Sequence, residues 1–295
     1  MEHVSIVIPT LNSPIIHQII ESLKTLKNVS ALYEVIIVGR DDLGLIPIDR
    51  SFYFDHTERP YTPAEARNRG AHQASGDILV FLDSDCVIHP DWLDKLTRHF
   101  TVTNLAGVGG GVRFKMDNYW NRADNFTLFH EFLDTQPAGF RKQLPSLNFA
   151  IRKDIFFQFG GFDERFPLPA GEDFDLTYRI TQAGYTLFFD PEAWVMHIPA
   201  RNSVRALWQH SYKMGLYSSK IDPRYQNGYG LPSWLRNRLA LRGLSPALAL
   251  VVTLRVYANT PKSGQFWQSF PAVFLSKIAW CLGAANSPRL TGKFQ

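Results

Sequence analysis

Three short apolar runs, each separated from the next by helix-like sequence, constrain this 295-residue chain more than any other feature. Val4-Ser-Ile-Val-Ile8, Glu34-Val-Ile-Ile-Val38 and Ile78-Leu-Val-Phe-Leu82 lack the polar alternation of a strand with one wet face. Both faces of each must therefore be covered. Between the first two, Ile16, Ile19, Ile20 and Leu23 recur at helical spacing, with Asn12 or Ser13 as cap and Pro14 in the first turn. Residues 63–75 read as a second helix, stopped by Gly76. This order predicts an α/β fold with a mostly parallel sheet flanked by helices. Ligands of such sheets bind beyond the carboxyl ends of the strands, so Thr10, Gly39-Arg40 and Asp83-Ser84-Asp85 should converge on one crevice.

Beyond residue 105 the pattern changes. Gly107-Val-Gly-Gly-Gly-Val112 is too rich in glycine for a helix and predicts a strand or bend with close backbone approach. Residues 116–135 suggest a helix carrying Tyr119, Trp120, Phe126 and Phe129, and 137–145 a loop. Strands are expected at 148–151 and 185–189, with helices at 154–159 and 172–183.

Charge divides the chain again near residue 203. Residues 1–200 carry 18 Lys and Arg against 26 Asp and Glu, whereas 201–295 carry 13 against Asp222 alone. A basic end of this kind meets something anionic, nucleic acid or a membrane surface. No nucleic-acid-binding motif accompanies the charge, which disfavours the first. The apolar stretches 244–258 and 266–285 are interrupted by Pro246, Arg255, Pro271 and Lys277, so neither offers the ~20 residues of a spanning helix. With Trp208, Trp234, Trp267 and Trp280 among the cations, they suit helices lying in a membrane interface; a helical tail packed on the rest of the chain is the plainer alternative. Only two cysteines occur, Cys86 and Cys281, too far apart for a disulfide framework or a metal knuckle. They fit a reducing compartment. The immediate entry from Met1-Glu2-His3 into a strand leaves no room for a signal peptide, which predicts a cytoplasmic chain.

Chemistry-bearing residues gather in a few places. Asp83 and Asp85, two apart on an extended segment, point the same way. Such oxygen donors suit Mg²⁺ or Mn²⁺ bridging phosphates, although Asp and Ser are also ordinary turn residues. Glu172, Asp173 and Asp175 lie at a helix start, where the macrodipole favours acids whether or not one is a general base. His197 closes the apolar Ala193-Trp-Val-Met196, and a neutral imidazole can join carboxylates around Mn²⁺. Arg67 has no acid three or four residues away, so it needs either a ligand or a distant partner.

Taken together and in order, Val4-Ser-Ile-Val-Ile-Pro-Thr10, Ala66-Arg-Asn-Arg-Gly70, Phe81-Leu-Asp-Ser-Asp85, Asn148-Phe-Ala150, Gly160-Gly-Phe-Asp-Glu164, Gly171-Glu-Asp-Phe-Asp-Leu176 and His197 resemble a family 2 glycosyltransferase over residues 3–200. The resemblance implies a GT-A (Rossmann-like) fold and inverting transfer from a nucleoside-diphosphate sugar, UDP-linked in preference to GDP-linked, with Mn²⁺ or Mg²⁺. By the same resemblance Pro9, Thr10, Asn12, Arg67, Asp83 and Ser84 contact the nucleotide. Asp85 and His197, with Asp83, hold the metal. Asp173 is the catalytic base, and Glu172 orients it or the acceptor. One departure stands out: where relatives carry acids directly after the second strand, this chain has Gly39-Arg40, and Asp41-Asp42 follow two positions late.

The expected organisation is a catalytic domain over 1–202, split into nucleotide-binding (1–105) and acceptor-binding (106–202) halves, then a helical extension over 203–295. The expected partners are a nucleotide-sugar donor, a glycan or lipid-linked acceptor and, through 203–295, an anionic membrane at the inner face of the cell membrane; nucleic acid is not among them. The rival functions are a sugar nucleotidyltransferase, which would place a glycine-rich basic loop after the first strand, and a non-catalytic nucleotide-sugar-binding module.

Overall fold

The apolar runs become the centre of a nine-stranded sheet in the computed structural model, which describes residues 3–27, 31–218 and 238–287. In chain order the sheet-bearing unit contains β1 (His3–Leu11), α1 (Ile16–Leu23), β2 (Leu32–Arg40), β3 (Tyr53–His56), α2 (Pro63–Gln73), β4 (Ile78–Leu82), β5 (Cys86–Ile88), α3 (Trp92–Thr97) and β6 (Leu105–Phe114). After α4 (Tyr119–Phe129), which belongs to the other unit, it resumes with β7 (Gly139–Arg141), β8 (Asn148–Arg152), α5 (Lys153–Gln158), α6 (Glu172–Gln182) and β9 (Thr186–His197). Strand order is β3-β2-β1-β4-β8-β6-β9-β5, with β7 on β9.

The first half is parallel throughout, β1 pairing with both β2 and β4 and β2 with β3. Ile6, Val7, Ile8, Ile37, Val38 and Leu79 to Leu82 are all fully buried, as strands covered on both faces require. β8 then enters antiparallel between β4 and β6, and β9 returns parallel to β6. The glycines of β6 allow that arrangement: a Cβ on Gly110 would lie 2.0 Å from the Ala193 carbonyl oxygen. Asn148 locks the same region. It accepts a hydrogen bond from Trp92 Nε1 (2.8 Å) and donates to the carbonyls of Gly111 (3.1 Å) and Ala193 (2.9 Å).

Several local expectations change. α1 starts at Ile16 without a side-chain cap, because Ser13 Oγ donates instead to the Ser84 carbonyl (2.6 Å) and the Asn12 side chain turns to Asp42. α2 is capped by Thr62 and Glu65, each side chain bonding the other's backbone N–H, with Pro63 in its first turn; it ends at Gln73 rather than residue 75. The helix expected over 116–135 is only α4, since the Phe132 carbonyl and the Asp134 N–H bond to Val112 at the sheet. The 137–145 loop contains β7, and the strand expected at 185–189 continues to His197.

The second unit comprises Lys115–Glu131 with Pro199–Gln295. Its elements are α4, α7 (Val204–Ser218), α8 (Arg238–Gly243), α9 (Ser245–Asn259), a 3₁₀ turn (Ser263–Ser269) and α10 (Phe270–Ala285). Pro246 and Pro271 begin α9 and α10 rather than interrupt them, since a first-turn proline loses no helical hydrogen bond. Phe126 of α4 stacks on Phe266 (4.4 Å) and meets Tyr257 edge-on (5.0 Å). The buried Asp124 pairs with Arg201 (3.1 Å) and His210 (2.8 Å). Trp234 lies outside the described residues. Among those described, no helix is long and apolar enough to cross a membrane.

Candidate active site

Three strand ends meet, as the parallel order requires. Thr10 sits opposite Gly39 in the β1–β2 register. Gly39 has φ +137°, and a Cβ there would lie 1.8 Å from the Thr10 carbonyl oxygen, so no other residue fits. Thr10 is 7% exposed, and its Oγ1 has no hydrogen-bond partner among the described residues. Asn12 adopts φ 55° and accepts from the Asp42 N–H (2.7 Å) while donating to Asp42 Oδ2 (2.9 Å). Arg40 holds the other oxygen of Asp42 (2.6 Å). Asp41 turns into its own loop and accepts from the Ile46 N–H (2.6 Å). Of the two displaced acids, Asp42 therefore stands beside the β1 loop.

Beyond β4, the Asp83 N–H bonds to the Leu147 carbonyl (3.1 Å), and the Asp83 carbonyl accepts from the Cys86 N–H (3.1 Å). That tight turn places Ser84 at the corner and Asp85 beside β9. The Ile198 N–H donates to the Asp85 carbonyl (2.8 Å), and Cys86 pairs with His197 in the β5–β9 register. As a result Asp85 Oδ2 lies 3.3 Å from His197 Nε2. The imidazole is nearly buried and the carboxylate about one-third exposed.

Arg67 finds the distant-partner alternative. Its Nη2 donates to Asp83 Oδ1 (2.5 Å) and its Nη1 to Glu172 Oε1 (3.0 Å), with the Phe162 ring 5.5 Å from the guanidinium carbon. Arg67 and Glu172 are each only 2% exposed, yet Asp83 keeps 28%. One guanidinium thus ties the end of β4 to the start of α6. Asp173 is the next residue; Oδ2 accepts from the Ser146 N–H (3.0 Å) and Oδ1 from the Phe174 N–H (2.8 Å). Burial, reinforced by the neighbouring Asp173 carboxylate, pushes the Glu172 carboxyl up to about 8. Burial also raises Asp173 above the ordinary carboxylate range, against the hydrogen bonds from Ser146 and Phe174 and the charge of Arg67. Ser146 belongs to this site although nothing local in the sequence marks it, whereas Phe162 lies in the Gly160–Glu164 stretch that carries the family resemblance.

Asp83, Asp85 and His197 do not form a ready three-donor cluster, and no group of three His, Cys, Asp or Glu side chains does so among the described residues. Arg67 engages Asp83, which leaves the Asp85–His197 pair. A carboxylate and an imidazole suit Mn²⁺ or Mg²⁺ whose other positions are filled by phosphate and water oxygens, so the pair fits such an ion.

A family profile described as glycosyltransferase-like family 2 matches residues 5–269. The chain belongs to this family. The glycosyltransferase is 28% identical to glycosyltransferase AglE of Haloferax volcanii over 308 residues, covering 98% of this chain and 95% of that one. It is 29% identical over 210 residues to the pre-mycofactocin glycosyltransferase of Mycobacterium tuberculosis, covering 66% of this chain and 42% of the relative. Among solved structures it resembles the mannosyltransferase PcManGT of Pyrobaculum calidifontis in complex with GDP-Man and Mn²⁺ (TM-score 0.59, 15% identity, 92% of this chain and 85% of that one). It also resembles GalNAc-T7 with UDP, GalNAc and Mn²⁺ (TM-score 0.54, 17% identity, 79% and 52%). At those identities the structures establish the GT-A fold. Family membership removes the nucleotidyltransferase and binding-module alternatives.

Proposed function

We propose that this glycosyltransferase transfers a sugar from a nucleoside diphosphate to an acceptor hydroxyl with inversion, and that it uses a divalent cation. The observation that carries the reading is the Arg67 bridge, which holds Asp83 and Glu172 together and sets Asp173 beside them. Thr10, Pro9 and Asn12 would line the nucleotide together with Asp83 and Ser84. The buried, unbonded Thr10 Oγ1 offers a donor there, and Asp42 is the carboxylate placed to meet the base. Asp85 and His197 would hold the ion, which when bound neutralises charge on the leaving diphosphate.

Asp173 is the group that accepts the proton. Its raised pKa makes it a better base than an exposed aspartate, and the Ser146 and Phe174 N–H groups fix its orientation. As Asp173 takes the hydroxyl proton, the acceptor oxygen bonds to the anomeric carbon from the face opposite the diphosphate, whose oxygen leaves with the electron pair. Glu172, buried and held by Arg67, positions this step. Residues 1–202 form the catalytic domain in this reading. Residues 203–295 form a helical extension that meets an anionic membrane surface at the inner face of the cell membrane, where a lipid-linked or growing glycan acceptor resides. Proton NMR of the product from an α-linked donor tests the stereochemistry. A β-anomeric signal supports inversion, and an α-anomeric product overturns it.

A further inference from the structure

α9 is turned inside out relative to a helix of a water-soluble surface. Its buried positions are Ser245, Ala249, Thr253, Val256 and Tyr257, mostly small or hydroxyl-bearing. The larger aliphatic side chains point outward instead, with Leu250 43%, Val251 47% and Leu254 49% exposed. Positions 250, 251, 254 and 255 share one helical face, because residues three and four apart are neighbours. Trp267, 60% exposed, extends the patch: its ring lies 5.6 Å from that of Tyr257 on α9. Single exposed aliphatics are ordinary, but a contiguous patch marks a contact surface.

Charge identifies the occupant. Arg255 lies on the same face, and the exposed Lys262 follows the helix. Among the described residues after Ile198 there is no Asp or Glu; the acids of this unit, Asp117, Asp124 and Glu131, lie on or beside α4. Symmetric pairing with a second copy through this face would set these cations against each other, which disfavours a dimer. An anionic bilayer answers both features, taking the Leu and Val side chains into its acyl boundary and the cations at its headgroups. At ~1.5 Å per residue the 15-residue α9 is about 22 Å long, short of a ~30 Å hydrocarbon core, so it lies along the surface rather than across it.

We infer that the outward face of α9, with Trp267, is the element of this chain that enters the surface of an anionic membrane. This deepens the proposal that residues 203–295 meet such a membrane, and rests on it. The test is flotation of the full chain with phosphatidylcholine vesicles containing or lacking phosphatidylglycerol. Wild type should float with the anionic vesicles and lose binding as salt rises. L250S/L254S replaces two exposed side chains, so its thermal unfolding should match wild type while vesicle affinity falls roughly 100-fold, tenfold per side chain. R255Q/K262Q should keep weak binding but lose the preference for anionic lipid, by roughly fivefold per cation. Transfer to a soluble acceptor should be unchanged in both variants.

If wild type does not float, both this inference and the membrane reading of 203–295 fail, while donor consumption in solution still measures the transferase reading separately. If wild type floats and L250S/L254S floats equally well, this face is not the membrane contact. A dimer in light scattering that the same variant converts to monomer would assign the face to a second copy and overturn the inference.

Discussion

Replacing Arg67 by methionine keeps most of the side-chain volume and removes the cation from between Asp83 and Glu172. Two hydrogen bonds disappear, one to the Asp83 carboxylate and one to the Glu172 carboxyl, which burial favours in its neutral form. Bonds to charged groups contribute ~1.5–3 kcal/mol each and neutral ones about 1 kcal/mol, which gives roughly 3 kcal/mol for the pair. Breaking a buried ion pair from one side typically costs ~3–5 kcal/mol, and the 28% exposure of Asp83 places this case at the lower end. For a unit of this size that is a fall of about 6–12 °C in melting temperature. Thermal unfolding at pH 7 without metal or donor measures it. The R67M/E172Q double variant should recover part of the loss, because it leaves no Glu172 carboxyl without its partner. R67K should remain impaired, since an ammonium lacks the planar fork that reaches both partners. Melting of R67M within 2 °C of wild type, or a double variant no better than the single one, would refute the bridge as an organising element.

Other tests address the ion pair, the pH dependence and the nucleotide loop. Asp85→Ala or His197→Ala should weaken metal-dependent nucleotide binding in calorimetry; full affinity in both variants contradicts their assignment. Glu172 is raised from its ordinary 4.5 to about 8, so the folded state holds a proton that the unfolded chain releases. Its contribution to stability is complete below 4.5, declines as pH rises towards 8 and is gone above. Glu172→Gln should flatten that decline in denaturant titrations from pH 5 to 9, and an unchanged slope would show that another group governs it. Asp42→Asn should alter the preference between UDP- and GDP-linked donors, read as the ratio of their thermal shifts, whereas Asp41→Asn should not.

The parallel half of the sheet is legible because continuous burial leaves an uninterrupted apolar run, and β4 spans the very residues that the run marks. β3 is not. Tyr53 and His56 of this edge strand are exposed and Asp55 is buried against Arg69, so its pattern carries no apolar signal. The acids of the site stand out through spacing, and the lack of a local partner for Arg67 points to either a ligand or a distant partner. Which partners it takes is a property of the assembled fold, since Glu172 lies 105 residues away. Ser146 is silent for the same reason, acting through a backbone N–H on Asp173, 27 residues on. The cap of α1 is misread because Ser13 has a better acceptor, the Ser84 carbonyl, supplied by tertiary structure.

Asp173→Asn, assayed in one preparation for both turnover and nucleotide binding, bears most directly on the proposal that a buried aspartate at the start of α6 accepts the acceptor proton. The account predicts turnover down by ~10²–10⁴-fold with nucleotide affinity unchanged. Turnover near that of wild type, or a parallel loss of nucleotide affinity, contradicts it.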